Sequence, residues 1–114
     1  SRHNFTPQQK LKEYKQYQEY STDVLDRSDG VNRCTTCDKF FKGDTTEING
    51  HIISDHNDGD TSDKNLLIIC QHCNGNDTRN IPQMMEEDWG IKHPNTLRVK
   101  NYLINKKKYL CHWS

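Results

Sequence analysis

The chemistry visible in this chain begins with two Cys-x-x-Cys pairs, Cys34-Thr35-Thr36-Cys37 and Cys70-Gln71-His72-Cys73. Four thiolates make a complete tetrahedral zinc shell, and pairs at this spacing can share one ion without strain. A structural Zn2+ on Cys34, Cys37, Cys70 and Cys73 is therefore predicted, with His72 as an alternative to one of the thiolates. Between the pairs stand His51, a polar loop from Ser54 to Lys64, Asn65 and the apolar run Leu66-Leu67-Ile68-Ile69; Asn74 directly follows Cys73. That order suggests a zinc-stapled site for cutting phosphodiesters rather than a bare zinc knuckle. Such hydrolysis needs an activated water, neutralisation of the phosphate charge and help for the leaving oxygen. Among side chains, histidine is the natural general base near neutral pH.

Composition explains why a staple is needed. Of 114 residues only 31% are hydrophobic, and the mean hydropathy is −1.11. So small and polar a chain cannot bury a large core. Composition of this kind borders on that of disordered chains, but the two Trp, five Tyr, three Phe and the cysteine pattern argue for a folded domain. The first residue is not Met, which favours a piece of a larger protein. No apolar run reaches the length of a membrane span and no signal peptide is visible, so no membrane partner is expected. The cysteine count is odd, and the spacing suits metal better than a disulfide framework, so an intracellular, reducing compartment is expected with Cys111 as a free thiol.

Charge is balanced overall and uneven locally. The acidic residues concentrate between 30 and 90, which would repel DNA unless a divalent cation sat there. From residue 91 onward there is no Asp or Glu, while Lys92, Arg98, Lys100, Lys106, Lys107 and Lys108 are all basic. Such a segment attracts phosphate backbones by counterion release, or is simply a solvated helix face. Arg98, Lys100, Lys106, Lys107 and Lys108 are the candidate nucleic-acid contacts there.

The elements that must position these groups can be read in order. Thr6-Pro7-Gln8-Gln9 opens a helix with a capping box and a proline in the first turn. Leu11, Tyr14, Tyr17, Tyr20 and Val24 recur at helical spacing as a core-facing stripe, with base stacking as the alternative use, and the helix is predicted to end near Ser28-Asp29-Gly30. The cysteine knuckle follows, with Phe40 and Phe41 packing at its exit. Residues 45–53 and 66–69 read as strands around the polar loop. Helices are predicted from Cys70, from Pro82 to Gly90, and from a Thr96 cap onward with Val99, Tyr102, Leu103 and Leu110 inward. The division is an N-terminal helical extension (1–30), a zinc-bound core (31–90) and a basic C-terminal helix (91–114).

Taken together, Cys34/Cys37, His51-Ile52, Asp58-Gly59, Asn65-Leu66, Cys70/Cys73 and Asn74 resemble the HNH, or ββα-metal, endonucleases over residues 33–80. The resemblance implies an α+β fold, a ββα core with structural zinc, flanked by N- and C-terminal helices. It also implies hydrolysis of DNA with one divalent ion, Mg2+ or Mn2+, leaving 5′-phosphate and 3′-hydroxyl ends. By the same resemblance His51 is the general base, Asn65 orients that imidazole or ties the loop, and Asn74 is a ligand of the catalytic ion. Two positions depart from the family pattern. Gly50 stands where many members carry a carboxylate ligand, so Asp55 and His56 are weighed as an alternative ligand and base. Asp77 stands where members often carry Lys, leaving Arg79 to take over a phosphate contact. Two further readings remain: a catalytically inactive module that binds nucleic acid, and a zinc-bearing protein-interaction domain.

Overall fold

The N-terminal helix starts as its sequence dictates. In the computed structural model, which describes residues 4–26, 33–40, 50–75 and 78–109, α1 spans Pro7–Asp23. The Thr6 hydroxyl accepts from the Gln9 amide at 3.1 Å, and the Gln9 side chain accepts from the Thr6 amide at 2.8 Å. This closes the capping box, which satisfies two amides that a helix start leaves without partners. The helix stops earlier than predicted, with Val24 as its cap and Asp26 in the left-handed region at φ 54°. The stripe is also narrower. Tyr14, Tyr17 and Tyr20 are buried, whereas Leu11 and Val24 are exposed. The Tyr17, Tyr20 and Tyr102 rings pack mutually, Tyr102 edge-on to both, which is the core use of the stripe.

The centre of the molecule is a two-stranded antiparallel hairpin, β1 (Gly50–His51) and β2 (Leu66–Leu67), in the register Gly50↔Leu67 and His51↔Leu66. The pairing continues past β1, where the Ile52 amide donates to Asn65 O at 2.8 Å. β1 ends at His51 and β2 at Leu67, each two residues earlier than expected, and residues 45–49 lie outside the described residues. Ile68 and Ile69, predicted as strand, are buried but unladdered, and Ile68 O instead accepts from the Thr35 amide of the cysteine knuckle at 2.9 Å. After β2 comes α2 (Gln71–Asn74), a single turn ended by Gly75 at φ 40°. Then follow α3 (Ile81–Asp88), α4 (Pro94–Asn101) and a π-helical turn, Tyr102–Lys106. The fold is thus α+β, with the strand–loop–strand–helix order of a ββα-metal core. Among the described residues no helix is long and apolar enough to cross a membrane.

Two local expectations are corrected. The cap of α4 is His93, whose ring Nδ1 accepts from the Asn95 amide at 3.0 Å. Pro94 takes the first turn, and Thr96 is buried inside the helix. Phe40 is exposed beneath the Arg33 guanidinium, 5.3 Å from its ring centre, rather than packed inward. Cys111, Phe41 and Leu110 lie outside the described residues.

The main apolar cluster joins every layer: Tyr17 and Tyr20 from α1, Ile52 and Leu67 from the hairpin, Met84 and Met85 from α3, Val99 from α4, and Tyr102 and Leu103 beyond it. A buried polar triad adds a second tie. Glu13 of α1 accepts from the Tyr102 hydroxyl and pairs with Lys107, whose side chain is 3% exposed. Burial pushes the Glu13 carboxyl upward, against the opposing pull of Lys107. Breaking a buried pair leaves an uncompensated charge, at a cost of about 3–5 kcal/mol. Glu13→Ala is therefore expected to lose about that much stability in urea unfolding, and Glu13→Leu combined with Lys107→Met to recover most of it. A loss below about 1 kcal/mol for Glu13→Ala, the scale of an exposed pair, would show that the triad does not hold α1 to the C-terminal turn.

Candidate metal centre and hydrolytic site

The knuckle that carries the first two cysteines is built by backbone bonds. The Cys34 amide donates to Lys39 O at 3.0 Å and the Asp38 amide to Cys34 O at 2.9 Å. Asp38 takes φ 64°, and Arg33 and Phe40 form an antiparallel bridge across the turn. From α4, Arg98 clamps the knuckle: Nη2 donates to Thr35 O at 2.6 Å and to Thr36 O at 2.8 Å. The Arg98 side chain is 8% exposed, so this residue, expected on a phosphate backbone, serves the knuckle instead. The second cysteine pair arrives on the exit of β2, and the Cys70 amide points at Cys34 Sγ at 3.2 Å.

The four sulfurs of Cys34, Cys37, Cys70 and Cys73 lie within 4.8 Å of one another, and Cys37 Sγ is 3.8 Å from Cys70 Sγ. A tetrahedron with Zn–S bonds of about 2.3 Å places its sulfurs about 3.8 Å apart, so the cluster fits one ion of that size. The chemistry of the donors agrees. Without a cation the Cys34 thiol is drawn down to about 4, chiefly by its hydrogen bond with Cys73. Burial pushes Cys37 up to about 11, and the bond to Cys34 pushes Cys73 up as well. A dication bound among the sulfurs would stabilise the thiolate form of its ligands. His72 is exposed, outside the cluster of four cysteines. Among the described residues this is the one group of three or more His, Cys, Asp or Glu able to hold a metal.

His51 is half-buried on β1, its ring 4.6 Å from that of Phe5. Adjacent residues of a strand face opposite sides, and the opposite side here belongs to Gly50. A Cβ on Gly50 would meet Ile69 Cδ1 at 2.4 Å and Asn74 Oδ1 at 2.9 Å. The α2 amide oxygen therefore lies against β1 one residue before His51. The missing carboxylate at position 50 has a steric counterpart: any side chain there must displace Ile69. Asn74 also lines an open groove of about 510 Å3 together with Thr36, His72, Cys73, Gly75, Met84, Asp88 and Trp89.

Asn65 is fully buried and uses its whole amide. Its Oδ1 accepts from the Ile53 amide at 2.7 Å and from the Tyr109 hydroxyl at 3.1 Å. Its Nδ2 donates to Ile53 O at 3.0 Å and Asp60 O at 2.8 Å. These bonds cross-brace the loop between the strands. Gly59 lets that loop close, since a Cβ there would sit 1.7 Å from Ile53 O. Asp55 and His56 lie in an exposed turn capped by Ser54. That turn is tied down by Asn80, whose Oδ1 accepts from the Ser54 amide and from Asn57 Nδ2, each at 3.0 Å. The Asp60 carboxyl is held below its usual range, first by the Ser62 hydroxyl, then by the Ser62 amide, with a contribution from the charge of His51.

The remaining candidate cations divide. Arg79 is bidentate on Asp88 and also bonds Glu87, so its charge is matched within α3. Lys107 is the buried partner of Glu13, and Lys106 lies 3.6 Å from Glu19. Lys108 is exposed beside a hollow that also contains Asp60, Ser62, Lys64 and Tyr109, and Lys100 is half-buried on α4. Sequence reasoning overlooked Phe5, Asn80 and the clamp role of Arg98. Phe5 alone left a signal: it precedes the Thr6 cap, where an apolar residue usually packs on the fourth helical residue. That residue is Lys10, so the partner of Phe5 has to lie outside α1.

The metal cluster joins the knuckle, the hairpin exit and α2, so metal removal should cost more than local order. One equivalent of Zn2+ per chain is expected, and complete chelation should abolish the cooperative melting transition and the amide protection of Ile52 and Leu67. An unchanged melting temperature in fully metal-free protein would contradict this.

A family model described as HNH endonuclease matches residues 34–80. A search of the curated proteins found no match. The matched segment begins at the first metal-binding cysteine and contains the hairpin, the braced loop, all four clustered cysteines and Asn74. Over residues 34–80 the chain matches the HNH endonuclease model, with four cysteines placed to hold one metal ion.

Proposed function

We propose that this chain is a metal-dependent endonuclease that hydrolyses phosphodiester bonds of DNA, leaving 5′-phosphate and 3′-hydroxyl ends. The observation that carries the reading is the HNH sequence over residues 34–80; within it Asn74 Oδ1 lies against β1 at Gly50, on the face that strand alternation sets opposite His51. Zinc is the metal we assign to the cysteines, on the softness and spacing of the donors, with a purely structural role.

His51 is the general base in this account. Its backbone is fixed by the pairing with Leu66, and its ring is held from one side by Phe5. From there it takes the proton of the attacking water. Asn65 holds the loop around it rather than touching substrate, since all its amide atoms are used on Ile53, Asp60 and Tyr109. Asn74 would hold a hard divalent ion, Mg2+ or Mn2+, through its amide oxygen. When bound, such an ion neutralises phosphate charge and assists the leaving oxygen, and it accepts few protein ligands because it keeps waters and substrate phosphates. A site with one amide and no carboxylate at position 50 is compatible with that habit. Lys108 and Lys64, exposed beside Asp60, are the cations we assign to the DNA backbone, with Lys100 on α4.

Plasmid cleavage with Mg2+ or Mn2+ tests this reading. His51→Ala should lower the rate by about two to four orders of magnitude, the usual scale of a general base, with bound zinc and melting temperature unchanged. Asn74→Ala should raise the concentration of divalent ion needed for half-maximal rate, and His56→Ala should act more mildly than His51→Ala. Loss of cleavage in His56→Ala with His51→Ala active would make Asp55 and His56 the working pair. Absence of cleavage of any DNA form with any divalent ion would leave the domain a binding module.

A further inference from the structure

Phe5 lies outside the HNH segment in sequence and against its histidine in space. We infer that Phe5 is a positioning residue for His51, so that the N-terminal extension completes the hydrolytic site. The inference rests on the assignment of His51 as general base.

Three independent features place Phe5 there. It is 3% exposed, yet it does not belong to the main apolar cluster. Its ring neighbour is instead His51, at 4.6 Å between centroids and a tilt of 43°. The helix start beside it is also fastened to the hairpin loop. Gln9 Nε2 donates to Thr61 O at 2.8 Å and to Asp63 Oδ1 at 3.0 Å, and Lys12 pairs with Asp63 at 3.0 Å. Thr6, bonded to Gln9 at both its amide and its hydroxyl, fixes the direction in which the chain leaves toward Phe5.

The physical consequence follows from the geometry of proton transfer. A base works only within hydrogen-bond reach of the water it deprotonates. An imidazole turns freely about two torsions unless something packs against its face. The β1 pairing holds the backbone of His51, and Phe5 supplies a wall against its ring. An aromatic wall restrains the ring, whose Nε2 is buried in this arrangement. Removing the wall leaves the base chemically intact but loosely aimed, which lowers turnover without weakening DNA binding.

The test uses the full chain loaded with zinc. Phe5→Leu keeps most of the volume and removes the flat ring; Phe5→Met does the same where the leucine variant does not fold. Per folded, zinc-loaded molecule, kcat should fall about ten- to a hundredfold, the scale of a misplaced catalytic group, with KM for DNA unchanged. The double variant Phe5→Leu/His51→Ala should cleave no more slowly than His51→Ala alone, because Phe5 acts through His51. In the wild-type protein the His51 ring protons should carry a ring-current shift that disappears in Phe5→Leu. An unchanged kcat in Phe5→Leu with His51→Ala strongly impaired would overturn the role of Phe5 alone. A His51→Ala variant as active as wild type would overturn both this role and the assignment of the base.

Discussion

Everything in the centre of this molecule depends on four sulfurs being brought within 4.8 Å of one another. Two come from a knuckle held by its own backbone, and two from the chain leaving β2 and entering the single turn of α2. Neither part would keep its shape unaided. A two-residue strand pair is far below the size at which a hairpin is stable in water, and a one-turn helix is below the length at which helix propagation offsets nucleation. A metal shared by the four cysteines would replace the missing core by fixing both to one point. Because Asn74 is the residue after Cys73, the same point sets where its amide oxygen meets β1.

The surroundings serve that arrangement. Arg98 holds the knuckle to α4 through two carbonyls, and the Ile68 carbonyl holds the knuckle to the exit of β2. Asn65 braces the loop from within, while Asn80, at the start of α3, braces it by accepting from the Ser54 amide. On the far side of the hairpin, α1 is fastened by the Glu13–Tyr102–Lys107 triad at the C-terminal turn and by Gln9 at the loop. The helices outside residues 34–80 are therefore structural partners of the HNH-like segment, and Phe5, just before α1, touches its His51.

Much of this was legible in the sequence, for physical reasons. Metal ligands announce themselves because two-residue spacing within a pair is a geometric requirement. The capping box at Thr6 and the glycine of the polar loop were visible because they solve local backbone problems. What the sequence hid were long-range uses of ordinary residues. Lys107 sits in a basic run that looks solvated, yet its partner is a buried glutamate on α1, 94 positions away. Arg98 resembles a phosphate contact until the knuckle carbonyls are seen beside it. The α1 stripe was overextended because periodicity does not reveal where tertiary contacts stop, and Leu11 and Val24 fall beyond them. The cap at His93 was missed because a ring nitrogen seldom takes the place of a hydroxyl or carboxylate.

In the proposed mechanism two metals have separate places, a soft ion in the cysteine cluster and a hard ion at Asn74. The most direct measurement is anomalous diffraction on both sides of the zinc edge, from crystals of the protein with DNA and Mn2+. A zinc signal is expected within the four cysteines and a manganese signal beside Asn74 Oδ1, next to the His51 strand. Manganese in the cysteine cluster, or at Asp55 and His56 with nothing beside Asn74, would contradict it.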